Sequence, residues 1–118
     1  MKPYKILIIE DDPVIQSELE TLLRGNGYTD VSVKNFSKVD DIFKAEKPHL
    51  VLLDIKLPNE SGFSICSQIR SDSNVPIIFV TSCNTDMDEL NSIMLGGDAF
   101  IAKPYHTAIL LAKIASLL

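Results

Sequence analysis

The chain has 118 residues, 46% of them hydrophobic and 23% charged, which fits one globular domain and excludes disordered and fibrous classes. Its 11 basic and 16 acidic residues give a net charge of −5, which argues against direct nucleic-acid binding, because such binding depends on basic patches. The apolar run "ILII" near the N-terminus is too short for a signal peptide or a membrane span, so we expect a cytoplasmic protein. Cys66 and Cys83 lie outside any CxxC motif and are expected to be free thiols.

The first half of the chain alternates between strand-like and helix-like hydrophobic patterns. Lys5 to Ile9 predicts a first strand, and Asp12 followed by Pro13 is a typical helix start. The apolar face predicted for this helix, which "RGNG" ends, consists of Val14, Ile15, Leu19, Leu22 and Leu23. An edge-like second strand and a short helix follow, marked by Val31 and Val33 and then by Val39, Ile42 and Phe43.

The second half repeats this alternation. Leu50 to Leu53 predicts a fully buried third strand and "VPIIFVT" a fourth, because both are continuous apolar runs. After the loop "LPNESG", the inner face of a helix is predicted to hold Phe63, Ile65, Cys66 and Ile69. The last elements are a polar helix around Met87 to Leu95, a fifth strand from Ala99 to Ala102, and a helix with Ile109, Leu110, Ile114 and Leu117. Five such units predict an α/β fold, a doubly wound parallel sheet with helices on both faces.

Polar residues follow several predicted strands at the end where the chain leaves each one. In a doubly wound sheet these carboxyl ends share one rim, so residues distant in sequence converge there. The residues are Glu10, Asp11 and Asp12 after the first strand, Asp54 after the third, Thr81 and Ser82 at the end of the fourth, and Lys103 after the fifth.

Crowded carboxylates repel one another unless a cation or a proton intervenes, and oxygen ligands with open water positions suit Mg²⁺. Taken singly, "EDDP" is typical of a solvated helix cap. Asp54 alone is equally consistent with an acid in the turn that follows a strand, before Pro58. Lys103 and Thr81 likewise have ordinary readings, as a surface lysine and a strand threonine. Together these groups favour phosphoryl transfer with Asp54 as the nucleophile, because that reaction needs mainly positioning and charge neutralisation.

Four segments match a known family in chain order. "KILIIEDDP", "VLLDIKLPNESG", "PIIFVTS" and "AFIAKP" resemble the acidic pair, phosphoacceptor, switch threonine and lysine motifs of the receiver domain of two-component response regulators. The resemblance covers residues 4 to 118 and implies a CheY-like sheet with strand order 2-1-3-4-5.

The resemblance also implies the chemistry of the site. Asp54 would accept a phosphoryl group from the phosphohistidine of a sensor histidine kinase, with no enzymatic turnover beyond this transfer and its own dephosphorylation. Mg²⁺ would be held by Glu10, Asp11, Asp54 and the backbone carbonyl of Lys56.

A switch is implied as well. Thr81 and Lys103 would bind the phosphoryl oxygens, and Thr81 and Phe100 would change position to alter the face formed by the fourth helix, fifth strand and fifth helix. The kinase would contact the first helix, around Gln16, Ser17 and Glu20, by the same analogy.

The segment "TSCNTDMDELNSIMLGGDAFIAKPY" more closely resembles receivers of OmpR/PhoB-type transcription factors, especially a subgroup whose kinases respond to cell-envelope antibiotics. These carry a winged-helix DNA-binding domain after the receiver. We therefore expect residues 1–118 to be a single receiver domain taken from a longer protein, acting on DNA and transcription only through that absent output domain.

One feature departs from the OmpR/PhoB pattern. Those receivers dimerise through charged pairs on the switch face, but Ala99 and Ile109 stand here where two acids are usual, while Lys113 keeps the basic position. This argues against the standard salt-bridged homodimer and leaves two roles open for Ile109, an apolar dimer contact or the core.

Three other functions are less well supported. A small aspartyl-phosphate phosphatase would need a DxD pair, but Lys56 stands at the place of the second acid. A degenerate receiver acting as an unphosphorylated interaction module would not need the full set of acids with Thr81 and Lys103. A flavodoxin-type nucleotide binder lacks support because neither GxGxxG nor a Walker loop is present.

Overall fold

Five parallel strands form the central sheet in a computed structural model that describes residues 3–118. Numbered in chain order, they are β1 (Lys5–Ile9), β2 (Thr29–Ser32), β3 (Leu50–Leu53), β4 (Ile77–Thr81) and β5 (Ala99–Ala102). Their spatial order is β2-β1-β3-β4-β5, and every pairing among them is parallel. The predicted fold class and strand order are confirmed, with β2 and β5 at the edges.

Helices cover both faces of the sheet. They are α1 (Pro13–Gly25), α2 (Val39–Glu46), α3 (Gly62–Arg70), α4 (Asp86–Met94) and α5 (Thr107–Leu117). Successive strand residues point to opposite faces, so Leu7 and Ile9 pack in one core with α2 and α3, while Ile6 and Ile8 pack in a second with α1 and α5. Burial on both faces explains the continuous apolar strands. Within residues 3–118, no helix has the length and hydropathy to cross a bilayer.

Side chains cap three helices where the chain leaves the carboxyl rim of the sheet. Asp12 Oδ1 accepts two first-turn amide hydrogen bonds of α1, at 2.9 and 3.3 Å. Ser61 Oγ accepts a hydrogen bond from the Phe63 amide in the first turn of α3, at 3.1 Å. Thr85 forms a reciprocal capping box with Asp88 at the start of α4. These caps fix the points at which the rim loops become helix.

Two residues of the predicted apolar faces lie at the surface. Val14 is 64% exposed, because Ile15, Leu19 and Leu23 form the stripe that reaches the core and Val14 lies outside it. Ile109 is 50% exposed, which removes the core as its role. The sequence of α5 is apolar on most sides, so periodicity alone could not separate Ile109 from the buried Leu110.

α4 is loosely packed on the sheet. Its single buried residue is Ser92, whose hydroxyl donates to the carbonyl oxygen of Asp88 at 2.7 Å. Four apolar side chains of this helix, between 47% and 75% exposed, form what we call the α4 apolar face: Met87, Leu90, Ile93 and Met94. The helix predicted here as polar therefore carries a substantial exposed apolar surface.

Arg70, at the end of α3, connects the segments that lead into β4 and β5. Its Nε donates to Gly96 O at 2.9 Å, Nη1 to Val75 O at 2.6 Å, and Nη2 to Asp98 Oδ2 at 2.8 Å. The same Asp98 oxygen accepts the Ile77 amide at 2.9 Å. Arg70 thus holds together the beginnings of the two strands whose other ends lead to Thr81 and Lys103.

Candidate functional site

The carboxyl rim of the sheet contains an open cavity of about 720 Å³. Five of the residues predicted for the site line it: Glu10, Asp11, Asp54, Lys56 and Lys103. Because β1, β3 and β5 are parallel, this rim brings together residues as far apart in sequence as Glu10 and Lys103.

Three carboxylates and one ammonium group form the centre of the cavity. Oxygen atoms of Glu10, Asp11 and Asp54 all lie within 4.8 Å of one another, with Glu10 and Asp54 buried and Asp11 exposed. Lys103 Nζ donates to Asp54 Oδ2 at 2.9 Å and also to Glu10 Oε1. One lysine does not balance three acids, so the cluster favours an additional cation.

The donor set fits a hard divalent ion. All three clustered side chains offer carboxylate oxygen, which Mg²⁺ prefers, and in the described part of the chain the cluster includes neither histidine nor cysteine. The exposed Asp11 leaves one side of the group open to water. This arrangement suits an ion that keeps several water ligands.

Burial and pairing shift the protonation of this group. Burial raises the pKa of Glu10, and the hydrogen bonds from Lys103 and from the Asp12 amide only partly oppose that rise. Burial alone would lower the pKa of Lys103, but its hydrogen bonds to Glu10 and Asp54 outweigh burial, so the pKa is raised. Lys103 is therefore a stable cation in the site.

The Asp54 carboxylate is held in one orientation. Oδ1 accepts the amide of Ile55 at 2.7 Å, while Oδ2 accepts Lys103. The side chain is 8% exposed, so it meets the cavity at the end of β3 without extending into bulk solvent.

A short hairpin that sequence reasoning missed positions Lys56. Lys56–Leu57 pairs antiparallel with Glu60–Ser61, and Asn59 makes the turn with a φ of 58°. Asparagine is one of the few residues that adopt this left-handed conformation readily, so Asn59 was the available signal within "LPNESG". The hairpin places Lys56 at the edge of the cavity with its side chain exposed.

Thr81 and Phe100 lie apart from this cluster. Thr81 is fully buried and its Oγ1 accepts the amide of Cys83 at 3.1 Å, whereas its neighbour Ser82 lines the cavity. Phe100 is half-buried against the core shared with α2 and α3. Cys83 and Cys66 are both free thiols, as predicted.

A second groove, of about 550 Å³, adjoins the cavity between α1 and the segment after β5. Ile15, Glu18 and Tyr105 line it, and Lys103 lines both spaces. Of the three α1 residues expected to contact a partner, Ser17 lines this groove, Gln16 is half-buried, and Glu20 accepts a hydrogen bond from Ser32 instead.

Comparison with curated proteins gives relatives over nearly the whole chain. The sensory transduction protein BceR of Halalkalibacterium halodurans is 45% identical over 115 residues, covering 98% of this chain and 50% of the relative. The transcriptional regulatory protein YxdJ of Bacillus subtilis is 45% identical over 112 residues, covering 95% of this chain and 49% of the relative. The chain thus spans about half the length of the curated relatives it matches.

Solved structures give the same result. The BeF₃-activated N-terminal receiver domain of Klebsiella pneumoniae RstA matches with a TM-score of 0.91 and 32% identity, over 95% of this chain and 96% of that one. The N-terminal domain of the nisin resistance regulator NsrR matches with a TM-score of 0.89 and 40% identity, over 98% of both chains. The family described as "Response regulator receiver domain" matches residues 6–115. Since sequence, fold and the acidic rim agree, the chain belongs to the response regulator receiver domain family.

Proposed function

We propose that this domain is a phosphorylation switch of two-component signal transduction, in which Asp54 takes a phosphoryl group from the phosphohistidine of a sensor histidine kinase. The observation that carries this proposal is the position of the buried Asp54 carboxylate, 2.9 Å from the Lys103 ammonium and clustered with Glu10 and Asp11. This combination supplies a nucleophile, a fixed cation and a set of hard oxygen ligands at one point of the rim.

The transfer needs no general base, because the attacking group is already an anion. An Asp54 oxygen forms a bond to phosphorus as the phosphorus–nitrogen bond of the donor breaks, and that electron pair stays on the imidazole nitrogen. The product is an acyl phosphate on Asp54. Lys103, kept charged by its raised pKa, is close enough to interact with the added oxygens.

Glu10, Asp11, Asp54 and the backbone carbonyl of Lys56 would hold Mg²⁺. When bound, the ion supplies positive charge against the phosphoryl oxygens, which is the largest need of this reaction. The three carboxylates that the fold gathers within 4.8 Å support this assignment.

Phosphorylation would change the contacts of one residue of β4 and one residue of β5. Thr81 would exchange its hydrogen bond with the Cys83 amide for one with a phosphoryl oxygen, and Phe100 would change its packing in response. These changes would alter the face formed by α4, β5 and α5, where the α4 apolar face and Ile109 are exposed. We propose that two copies associate there, mainly through apolar contacts.

The output would be transcription. The relatives are about twice as long as this chain, and one of them is named a transcriptional regulatory protein. We propose that the switch face controls a DNA-binding domain in the longer protein and that the protein acts in the cytoplasm. The kinase would dock on α1 and the adjoining groove, because Ser17 and Tyr105 lie there beside Lys103.

The decisive experiment is incubation with acetyl phosphate, with and without Mg²⁺, followed by intact-mass measurement. We expect a Mg²⁺-dependent phosphoryl adduct on the wild type and on Asp41→Ala, a control acid exposed on α2, but none on Asp54→Ala. An unmodified wild type would instead favour the alternative of a receiver-shaped interaction module that works without phosphorylation.

A further inference from the structure

Gly62, the first residue of α3, lies directly against the backbone that carries the phosphoacceptor. A Cβ added at Gly62 would be 2.0 Å from the carbonyl oxygen of Asp54 and 2.8 Å from Ile55 Cα. The Gly62 amide donates to the carbonyl oxygen of Ile55 at 2.7 Å. Ordinary carbon–oxygen contacts are no shorter than roughly 3.3 Å, so any side chain here would displace the backbone by about 1 Å.

The backbone at this contact carries two of the proposed functional groups. The Ile55 amide, which belongs to the same peptide unit as the contacted Asp54 carbonyl, donates to Asp54 Oδ1 and orients the carboxylate. The following residue, Lys56, offers the carbonyl assigned to Mg²⁺. A displacement of the Asp54–Ile55 segment would therefore move the nucleophile and a metal ligand together.

We infer that Gly62 is a positioning residue for phosphoryl transfer at Asp54, required because its missing side chain lets α3 begin in contact with the Asp54–Ile55 peptide. Glycine is required here because of this close approach and not because of an unusual backbone conformation. Gly62 is the first residue of a helix and is not among the residues with positive φ. The inference rests on the proposed function. Sites of this kind tolerate deviations of about 0.5 Å, which the displacement would exceed.

The test compares Gly62→Ala with Gly25→Ala. Gly25 is also a helical glycine, but an added Cβ there meets nothing within 4 Å. Mg²⁺ affinity is measured from amide NMR shifts without any phosphodonor, and the rate of acetyl phosphate labelling is measured at saturating Mg²⁺. For folded Gly62→Ala we expect at least about tenfold weaker Mg²⁺ binding and labelling slower by up to about a hundredfold, with Gly25→Ala within about twofold of wild type.

A purely structural role would lower the unfolding midpoint and leave the Mg²⁺ affinity of the folded protein unchanged. Folded Gly62→Ala with wild-type affinity and labelling rate would therefore overturn the inference. If Gly62→Ala does not fold, Ser61→Ala decides, because it removes the cap that seats α3 without adding an atom. We expect a several-fold loss of Mg²⁺ affinity there, and an unchanged affinity would overturn the inference. A wild type that neither binds Mg²⁺ nor becomes labelled would refute the proposed function itself.

Discussion

Lys103 shares one ammonium group between two buried carboxylates, 2.9 Å from Asp54 Oδ2 and hydrogen-bonded to Glu10 Oε1 as well. The three residues follow three different strands, so this contact joins the ends of β1, β3 and β5. Without the lysine, two buried acids would face each other with no cation between them.

We therefore expect Lys103→Met to destabilise the metal-free protein by about 1–3 kcal/mol, because it leaves buried charged acceptors unsatisfied. The exposed Lys38→Met is the matched control and should leave stability unchanged. Urea unfolding in the presence of a chelator measures both. Equal midpoints for the two variants would show that Lys103 contributes nothing to the fold.

Glu10 should make the metal-free protein less stable as pH rises. Burial raises its pKa in the folded state above its pKa in the unfolded chain, so at a pH between these two pKa values the folded protein binds more protons than the unfolded chain. By linkage, stability is greatest below this window and declines as pH increases through the folded pKa. Urea unfolding of wild type and Glu10→Gln, from about pH 4 to about pH 8 with a chelator present, isolates this effect. The stability of Glu10→Gln relative to wild type should increase with pH, and parallel curves would refute the prediction.

Two arginine–aspartate pairs should differ in their contribution to stability. Arg70 is 20% exposed in its side chain and bonds three backbone carbonyls besides Asp98, whereas Arg24 is 65% exposed in its side chain and hydrogen-bonds to Asp30. We expect Arg70→Met to lower the free energy of unfolding by about 1–3 kcal/mol, since it orphans those acceptors. Arg24→Met should lower stability less, because it removes the partner of one side chain, Asp30, whereas Arg70→Met affects three backbone carbonyls and Asp98. Chemical denaturation of both variants tests this, and a larger loss for Arg24→Met would be contrary to it.

Self-association on activation should depend on apolar side chains. Leu90→Glu and Ile109→Glu place charge in the proposed contact, so each should keep the BeF₃-loaded protein monomeric in sedimentation velocity. Tyr4→Ser, an exposed site before β1, is the control and should associate like wild type. The proposed dimer of the activated wild type should also persist at about 1 M salt, where ion pairs are strongly screened. Dissociation by salt would indicate a contact based on charge instead.

The arrangement of the sheet was predictable because β3 and most of β1 and β4 are continuous apolar segments, whereas β2 shows the alternation typical of an edge strand. The bounds of β1, β3 and β5 agree with those predicted, and the convergence of Glu10, Asp54 and Lys103 follows from parallel topology alone. The proposed roles of these residues are not tested by the fold. They remain predictions for the experiments above.

Other features depend on tertiary contacts that periodicity does not encode. Ile109 and Leu110 are equally hydrophobic neighbours, and only the direction in which α5 packs decides that Leu110 is buried. The hydrogen bond from the Cys83 amide to Thr81 and the close approach of Gly62 to Asp54 involve backbone geometry. A motif reports the residue types at such positions but not the distances between them.

The small buried surface of α4 affects the free energy that the proposed switch would need to move this helix. Moving a two-state equilibrium from about 1:99 to 99:1 takes about 5.5 kcal/mol, and under the proposed function one acyl phosphate would have to supply this free energy. A helix that buries several large side chains would resist with roughly 1.5–3 kcal/mol for each one. Because α4 buries Ser92 alone, most of that resistance is absent, so the proposed phosphorylation of Asp54 would have little packing energy to overcome in moving this helix.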